Sequence, residues 1–222
     1  MFEKCIPPES LALLKVLVAN GIMRDYGFYL AGGTGLALQI GHRISEDLDF
    51  FSDRPFQPQE LADRLAGNTE AKIVGMATGT LHTLLQEKVR VSFLQYPYKL
   101  LFPPKEFWGC PVADCRDIGA AKIIAVGQRG ARKDFVDLYY LAKVIPWAEL
   151  KDAVDRKYVG ARYSWVHLAR GLGYFEEAEQ DPMPVMLTSG RPKKLTTTEW
   201  EAIKGFFRQL QKELLIEVCK NK

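Results

Sequence analysis

Histidine is scarce in this chain, and the cysteines form no motif. Three histidines and four cysteines (Cys5, Cys110, Cys115, Cys219) occur in 222 residues, with no C-x-x-C pair. Cys110 and Cys115 are the one close pair, and His82 and His167 stand at no ligand spacing to them, so a zinc framework is not read here. The thiols are expected to be reduced and structural. Charge of one sign is lacking as well: 30 Lys+Arg against 27 Asp+Glu give a net +3, too mild to argue for a polyanion partner from global charge alone. No apolar run approaches the roughly 18 residues of a membrane span. The opening MFEKCIPPES carries no basic region followed by an apolar stretch, and the expected location is cytoplasmic. There is no repeat and no low-complexity tract. Neither G-x-G-x-x-G nor G-x-x-x-x-G-K-[ST] is present, which removes the Rossmann and P-loop readings.

What is present is ordinary globular composition, 47% hydrophobic and 26% charged, in an organised order. Residues 10–22, SLALLKVLVANGI, repeat apolar positions at helical spacing and stop near Gly21. FYLAGG at 28–33 reads as a short buried strand ending in glycines, TGLALQIGHR as a helix, LDFF as a second strand and FQPQELADRLAG as a helix between Pro58 and Gly67. Residues 70–99 alternate apolar and polar positions in antiparallel-strand fashion. KVRVSFLQY is the clearest, with Val89, Val91 and Phe93 on one face and Lys88, Arg90 and Ser92 on the other. After the proline-rich bend LFPPKEFWGCPV the pattern turns helical. Four helices are expected, then a proline-rich loop, DPMPVMLTSGRPKK, and a last helix that Thr197 can cap. The expectation is an α+β fold, a mixed sheet flanked by helices over residues 1–110 followed by a helical half over 111–222.

The chemistry concentrates in GHRISEDLDFFS at 41–52. On a strand, Asp47 and Asp49 point the same way, about 6.6 Å apart at roughly 3.3 Å per residue. At an effective dielectric of about 20 they repel by roughly 2.5 kcal/mol before any desolvation cost. A divalent cation removes that penalty, since Mg²⁺ takes one or two carboxylates and leaves its other positions to water and phosphate oxygens. The plainer alternative is a turn-capping aspartate beside a solvated one. Upstream, Gly32, Gly33 and Thr34 close one strand and open a helix, where backbone N–H groups can approach a phosphate. By itself GGT marks only a turn.

Together, strand, GG, helix and strand with D-x-D resemble the nucleotidyltransferase superfamily of polymerase-beta-like fold. The full stretch FYLAGGTGLALQIGHRISEDLDFF more narrowly resembles the AbiEii/AbiGii family, known for abortive-infection and toxin–antitoxin proteins, in which Arg43 and Ser45 also belong to the motif. A second block, DIGAAKIIAVGQRGARKDFVDLYYL at 117–141, resembles the same family: Lys122 on one helix, then R-x-x-x-KD-x-x-D-L on the next, with Asp134 and Asp137 sharing a helical face. The resemblance implies that Asp47 and Asp49 hold Mg²⁺ (or Mn²⁺) and that Gly32, Gly33, Thr34, Arg43, Ser45 and Lys133 line a bound NTP. It further implies that Lys122 neutralises triphosphate charge and that Asp134 or Asp137 positions the base, the ribose or the acceptor hydroxyl. The active cleft is expected where the two halves meet. RNA, tRNA foremost, is the favoured acceptor, and a cognate antitoxin is an implied partner.

One departure stands out. Active members of the superfamily place a third carboxylate on a later strand, yet the polar face of KVRVSFLQY offers Lys88, Arg90 and Ser92, with Glu87 out of phase. Two rival readings follow: a catalytically degenerate nucleotide-binding module, and a small-molecule transferase of the antibiotic-modifying type. The basic turn of Arg129, Arg132 and Lys133 can bind triphosphate or RNA backbone or be merely solvated. The same choice holds for Arg191, Lys193 and Lys194.

Overall fold

The computed structural model describes residues 1–220 of the chain. They form two compact units, Met1–Cys115 and Arg116–Lys222. The first opens with a 3₁₀ turn, Glu3–Cys5, and continues through α1 (Pro8–Ala19), α2 (Ile22–Tyr26), β1 (Tyr29–Leu30), α3 (Gly32–Ile40), β2 (Leu48–Ser52) and α4 (Pro58–Ala66). Then come β3 (Ala71–Ala77), β4 (Thr80–Leu85), β5 (Val89–Gln95), β6 (Lys105–Phe107) and β7 (Cys110–Val112). The seven strands make one mixed sheet in the order β3-β4-β5-β2-β1-β7-β6. β2 runs parallel to β5 and antiparallel to β1, while β1 runs parallel to β7.

Alternation explains the sheet. Leu48 and Phe50 of β2, Val91 and Phe93 of β5 and Leu81 of β4 are all buried on one face, whereas Asp49, Ser92 and His82 lie between them on the other. Phe50 stacks on Phe93 at 5.4 Å between ring centroids, and Phe28 tilts against Phe93 at 5.1 Å. Each such ring contributes about 2–3 kcal/mol by burial, and each ring pair about 1 kcal/mol more. Leu13, Leu14 and Leu17 of α1 and Leu61 and Leu65 of α4 complete this core. β2 is thereby pinned in the middle of the sheet, and with it the residues on its open face.

The second unit holds α5 (Cys115–Gln128), which begins at the last residue of the first unit, then α6 (Arg132–Leu141), α7 (Trp147–Lys157), α8 (Trp165–Leu172) and α9 (Glu176–Gln180). A hairpin of β8 (Val185–Thr188) and β9 (Arg191–Lys194) precedes the long α10 (Thr197–Lys220). Phe135, Phe175, Trp200 and Phe207 form its aromatic core. α5 and α8 cross closely: a Cβ on Gly171 would lie 2.8 Å from the Gly127 Cα. Asp117 and Lys157, both buried, pair at 2.7 Å and tie α5 to α7.

Four local expectations are corrected. The proline-rich bend at 101–112 contains the β6–β7 hairpin, and the expected loop at 181–194 contains β8–β9. Three- and four-residue strands are too short to show alternation. Asp47 lies one residue before β2, so only Asp49 is on the strand itself. The α10 cap is Thr196: its hydroxyl accepts from the Glu199 N–H at 3.2 Å while its own N–H donates to Glu199 Oε2 at 2.7 Å, a reciprocal box. No helix among the described residues is long and apolar enough to cross a membrane.

Candidate functional site

β1 ends at Leu30, and the N–H of Ala31, the residue before α3, donates to the Asp49 carbonyl at 2.9 Å. The chain then reverses at Gly32, whose φ of +57° is left-handed, to start α3. A Cβ on Gly32 would stand 2.5 Å from Asp49 Oδ2, so the Asp49 side chain lies directly against the Gly32 backbone at the head of the helix. Gly33 makes a second close approach possible. A Cβ there would meet Arg43 Nη2 at 2.2 Å and Ser45 Oγ at 3.1 Å. The two glycines therefore let a carboxylate and a guanidinium reach the first turn of α3, a role that is spatial as well as conformational.

Thr34 continues the cluster. Its hydroxyl bonds to Ser45 Oγ at 2.9 Å and, more closely, to the Asp47 carbonyl. A carbonyl only accepts, so the Thr34 proton goes to Asp47 and the Ser45 hydroxyl donates to Thr34. Arg43 is buried and donates through Nη1 to the Ile44 carbonyl at 2.9 Å. The segment leading to β2 is anchored by Ser45 N–H donating to the Cys5 carbonyl at 2.8 Å and Ser10 Oγ donating to the Glu46 carbonyl at 2.9 Å. Burial pushes the Cys5 thiol up to about 11, against the opposing pull of Arg43. Gly32, Gly33, Thr34, Arg43, Ser45, Asp47 and Asp49 are thus gathered in one place within the first unit.

In the second unit Lys122 of α5 reaches both carboxylates of α6, with Nζ at 2.7 Å from Asp134 Oδ1 and 2.6 Å from Asp137 Oδ2. All three residues are buried. One ammonium shared by two carboxylates leaves the cluster with a formal charge of −1 and the lysine held rigidly. Lys133, one position along α6, is exposed. Arg132 is committed elsewhere: it is buried, and its Nη2 donates to the Glu179 carbonyl at 3.0 Å and carboxylate at 3.2 Å. Its place in the basic turn is therefore structural.

Among the described residues no cluster of three or more His, Cys, Asp or Glu suited to a metal occurs. The carboxylate that the structure sets against the head of α3 is that of Asp49, and Asp47 meets Thr34 through its carbonyl. Carboxylate oxygens such as these are hard donors, a ligand type that suits Mg²⁺ or Mn²⁺. On the strand where a third acid was sought, Ser92 stands in register with Asp49. Ser92 Oγ lies 3.1 Å from His82 Nδ1 on the next strand, a contact that linear spacing did not reveal. Pairing the β4 and β5 alternations across their tight turn is the signal that finds it.

Comparison with known proteins shows the family of the chain. The family described as nucleotidyl transferase AbiEii toxin, type IV TA system, matches residues 23–215. The uncharacterized protein aq_aa25 of Aquifex aeolicus strain VF5 is 32% identical over 213 residues, 93% of this chain and 96% of its own. MenT4, the nucleotidyltransferase toxin Rv2826c of Mycobacterium tuberculosis H37Rv, superposes with a TM-score of 0.58 at 15% identity, over 89% of this chain and 80% of its own. A crystal structure from H. pylori assigned as a nucleotidyltransferase gives a TM-score of 0.51 at 16% identity, over 96% and 98% of the two chains. At these identities the structural likenesses establish the α+β nucleotidyltransferase fold.

Proposed function

The chain belongs to the nucleotidyl transferase AbiEii toxin family, and on that premise we propose that it moves a nucleotide from an NTP onto an RNA hydroxyl, tRNA foremost, with Mg²⁺ or Mn²⁺ held by Asp47 and Asp49. The observation that carries this reading is the packing of Asp49 against the Gly32 backbone, which sets a carboxylate beside the N-terminal turn of α3. That turn offers backbone N–H groups and favourable partial charge to an anion. Gly33, Thr34 and Ser45 orient the triphosphate there, and Arg43, buried beneath the turn, adds a fixed positive charge. The cation, when bound, supplies neutralisation of phosphate charge and polarisation of the phosphorus. The family resemblance supports a part in the reaction for Lys122, held as a positioned ammonium by Asp134 and Asp137, and for Lys133. The acceptor oxygen bonds to the α-phosphorus while the bond to pyrophosphate breaks, and pyrophosphate leaves with the electron pair.

The type IV toxin–antitoxin assignment of the family supports a cognate antitoxin as partner and the cytoplasm, where NTPs and RNA coexist, as its place of action. The test is incubation of purified protein with each α-labelled NTP, Mg²⁺ and total bacterial RNA, wild type against Asp49→Ala. A discrete labelled RNA band, lost in the variant, is the expected result. A protein that binds NTP by calorimetry yet labels nothing favours the degenerate reading, to which Ser92 in register with Asp49 lends weight.

A further inference from the structure

The open face of the sheet in Met1–Cys115 carries a polar row that runs outward from the candidate metal ligands. Asp49 on β2, Ser92 on β5, His82 on β4 and Gly75 on β3 follow one another in register. Registered neighbours project to the same face, and the flanking positions Leu48, Phe50, Val91, Phe93 and Leu81 are buried on the opposite one. His82 is exposed, Ser92 half-buried. The imidazole leans on Ser92, with Nδ1 at 3.1 Å from Ser92 Oγ. Beyond it Gly75 contributes no side chain, so the far side of the ring stays open. Within β3, β5 and β2 the charged residues of this face are Lys72, Arg90 and Asp49.

The transfer reaction needs a group to take the proton of the acceptor hydroxyl, and the row contains no second carboxylate. We infer that His82, oriented by Ser92, binds the acceptor hydroxyl beside Asp49 and accepts its proton. This rests on the nucleotidyl-transfer reading above. Strands lie about 4.8 Å apart, so the Asp49 and His82 backbones stand roughly 10 Å from one another. With both side chains projecting from the same face, that separation leaves room for a reacting oxygen and a phosphorus between them. In the tautomer with the proton on Nδ1, the ring donates to Ser92 Oγ and presents the Nε2 lone pair. The hydroxyl proton passes to Nε2, the freed oxygen bonds to the α-phosphorus, and pyrophosphate departs. Ser92 acts through the ring and is a positioning residue.

The experiment measures single-turnover transfer to the acceptor found with labelled NTP, for wild type, His82→Asn, His82→Gln and Ser92→Ala, across pH 5.5–9, with NTP affinity by calorimetry. The expected result is a rate lowered about 10²-fold in both His82 variants. NTP affinity stays unchanged, the acid limb of the rate profile disappears, and the loss in Ser92→Ala is smaller with the limb retained. Imidazole added to His82→Gln is expected to restore part of the rate. His82 variants that transfer at the wild-type rate with an unchanged profile overturn this inference alone. Variants that lose NTP affinity with the rate at saturation intact overturn it too, because His82 would then serve nucleotide binding. A wild type that transfers to no acceptor overturns this inference together with the reading it rests on.

Discussion

Gly32→Ala is the perturbation whose consequence the geometry specifies most fully. At φ +57° an added Cβ costs about 1–2 kcal/mol by itself. It would also lie 2.5 Å from Asp49 Oδ2 and 3.0 Å from Asp49 Cβ. The carboxylate tip can swing, but Asp49 Cβ is fixed to β2, which is paired on both sides, so relief requires displacing the whole side chain. Overpacking of this kind adds about 1–2 kcal/mol. The sum, about 2–4 kcal/mol, lowers Tm by roughly 5–15 °C in a chain of this size. On the proposed reading of Asp49 as a metal ligand, moving its carboxylate by about 1 Å lowers transfer on the order of 100-fold. Gly33→Ala is the control. Gly33 has no positive φ, and its Cβ meets the far end of Arg43 first. Alanine there also gains about 1 kcal/mol of helix propensity, which offsets part of the cost of shifting the buried Arg43 guanidinium, so the loss of stability is expected to be smaller than at Gly32. Thermal melts and the labelled-NTP assay read both effects. Wild-type Tm and wild-type transfer in Gly32→Ala would refute the account of why glycine stands there.

Three further expectations concern the ionic and thiol groups. Lys122→Met leaves Asp134 and Asp137 buried without their shared cation, a loss of about 3–5 kcal/mol in urea melts. Adding Asp134→Asn and Asp137→Asn is expected to recover most of it, and no recovery would show that the lysine stabilises by packing. The hydrogen bond from Lys204 holds the Glu179 carboxyl below its ordinary 4.5 against a lesser effect of burial, and Trp200 and Arg132 assist. A folded pKa below the unfolded one contributes stability that is present above about pH 4.5 and is lost as pH falls through the folded value. Glu179→Gln is therefore expected to destabilise at pH 7 and to approach wild type as the pH falls through the folded value; a difference that stays constant on acidification would contradict the linkage. Burial raises the Cys110 thiol to about 12 and the Cys5 thiol to about 11, so at pH 8 only about 10⁻⁴ and 10⁻³ of each is thiolate. Alkylation of native protein followed by mass spectrometry is expected to mark exposed Cys219 first and to spare Cys5 and Cys110.

Much of the first unit was legible because its signals are local. Alternation in LDFF and KVRVSFLQY placed Leu48, Phe50, Val91 and Phe93 on the buried face, where they are. The glycines between a strand and a helix identified the turn that Asp49 packs against. The hairpins β6–β7 and β8–β9 were hidden because strands of three or four residues carry no readable period, and β7 and β9 each contain a proline. Thr196 rather than Thr197 caps α10, because of three threonines in a row Thr196 has Glu199 and Thr198 has Glu201 three residues on, while Thr197 has Trp200 there; the fold uses the Thr196–Glu199 box.

The harder losses came from pairing between elements. Sequence spacing showed that Asp134 and Asp137 share a helical face, yet not that Lys122 would be shared between them. The spacing of ionic residues does not say which turns of α5 and α6 meet, since apolar packing such as that of Phe135 on Phe175, Trp200 and Phe207 takes part in placing α6. The consequence alters the chemistry, because a lysine already neutralised by two carboxylates is a positioned donor more than a spare charge. Register has the same effect on the sheet. Glu87, the acid that spacing left out of phase, sits with positive φ at the β4–β5 turn, while the strand pairing sets Ser92 and then His82 beside Asp49. A missing carboxylate on one strand was visible from the sequence; an imidazole supplied by the strand beyond it needed the fold, since two separate registers have to be known before Asp49 and His82 fall in one row.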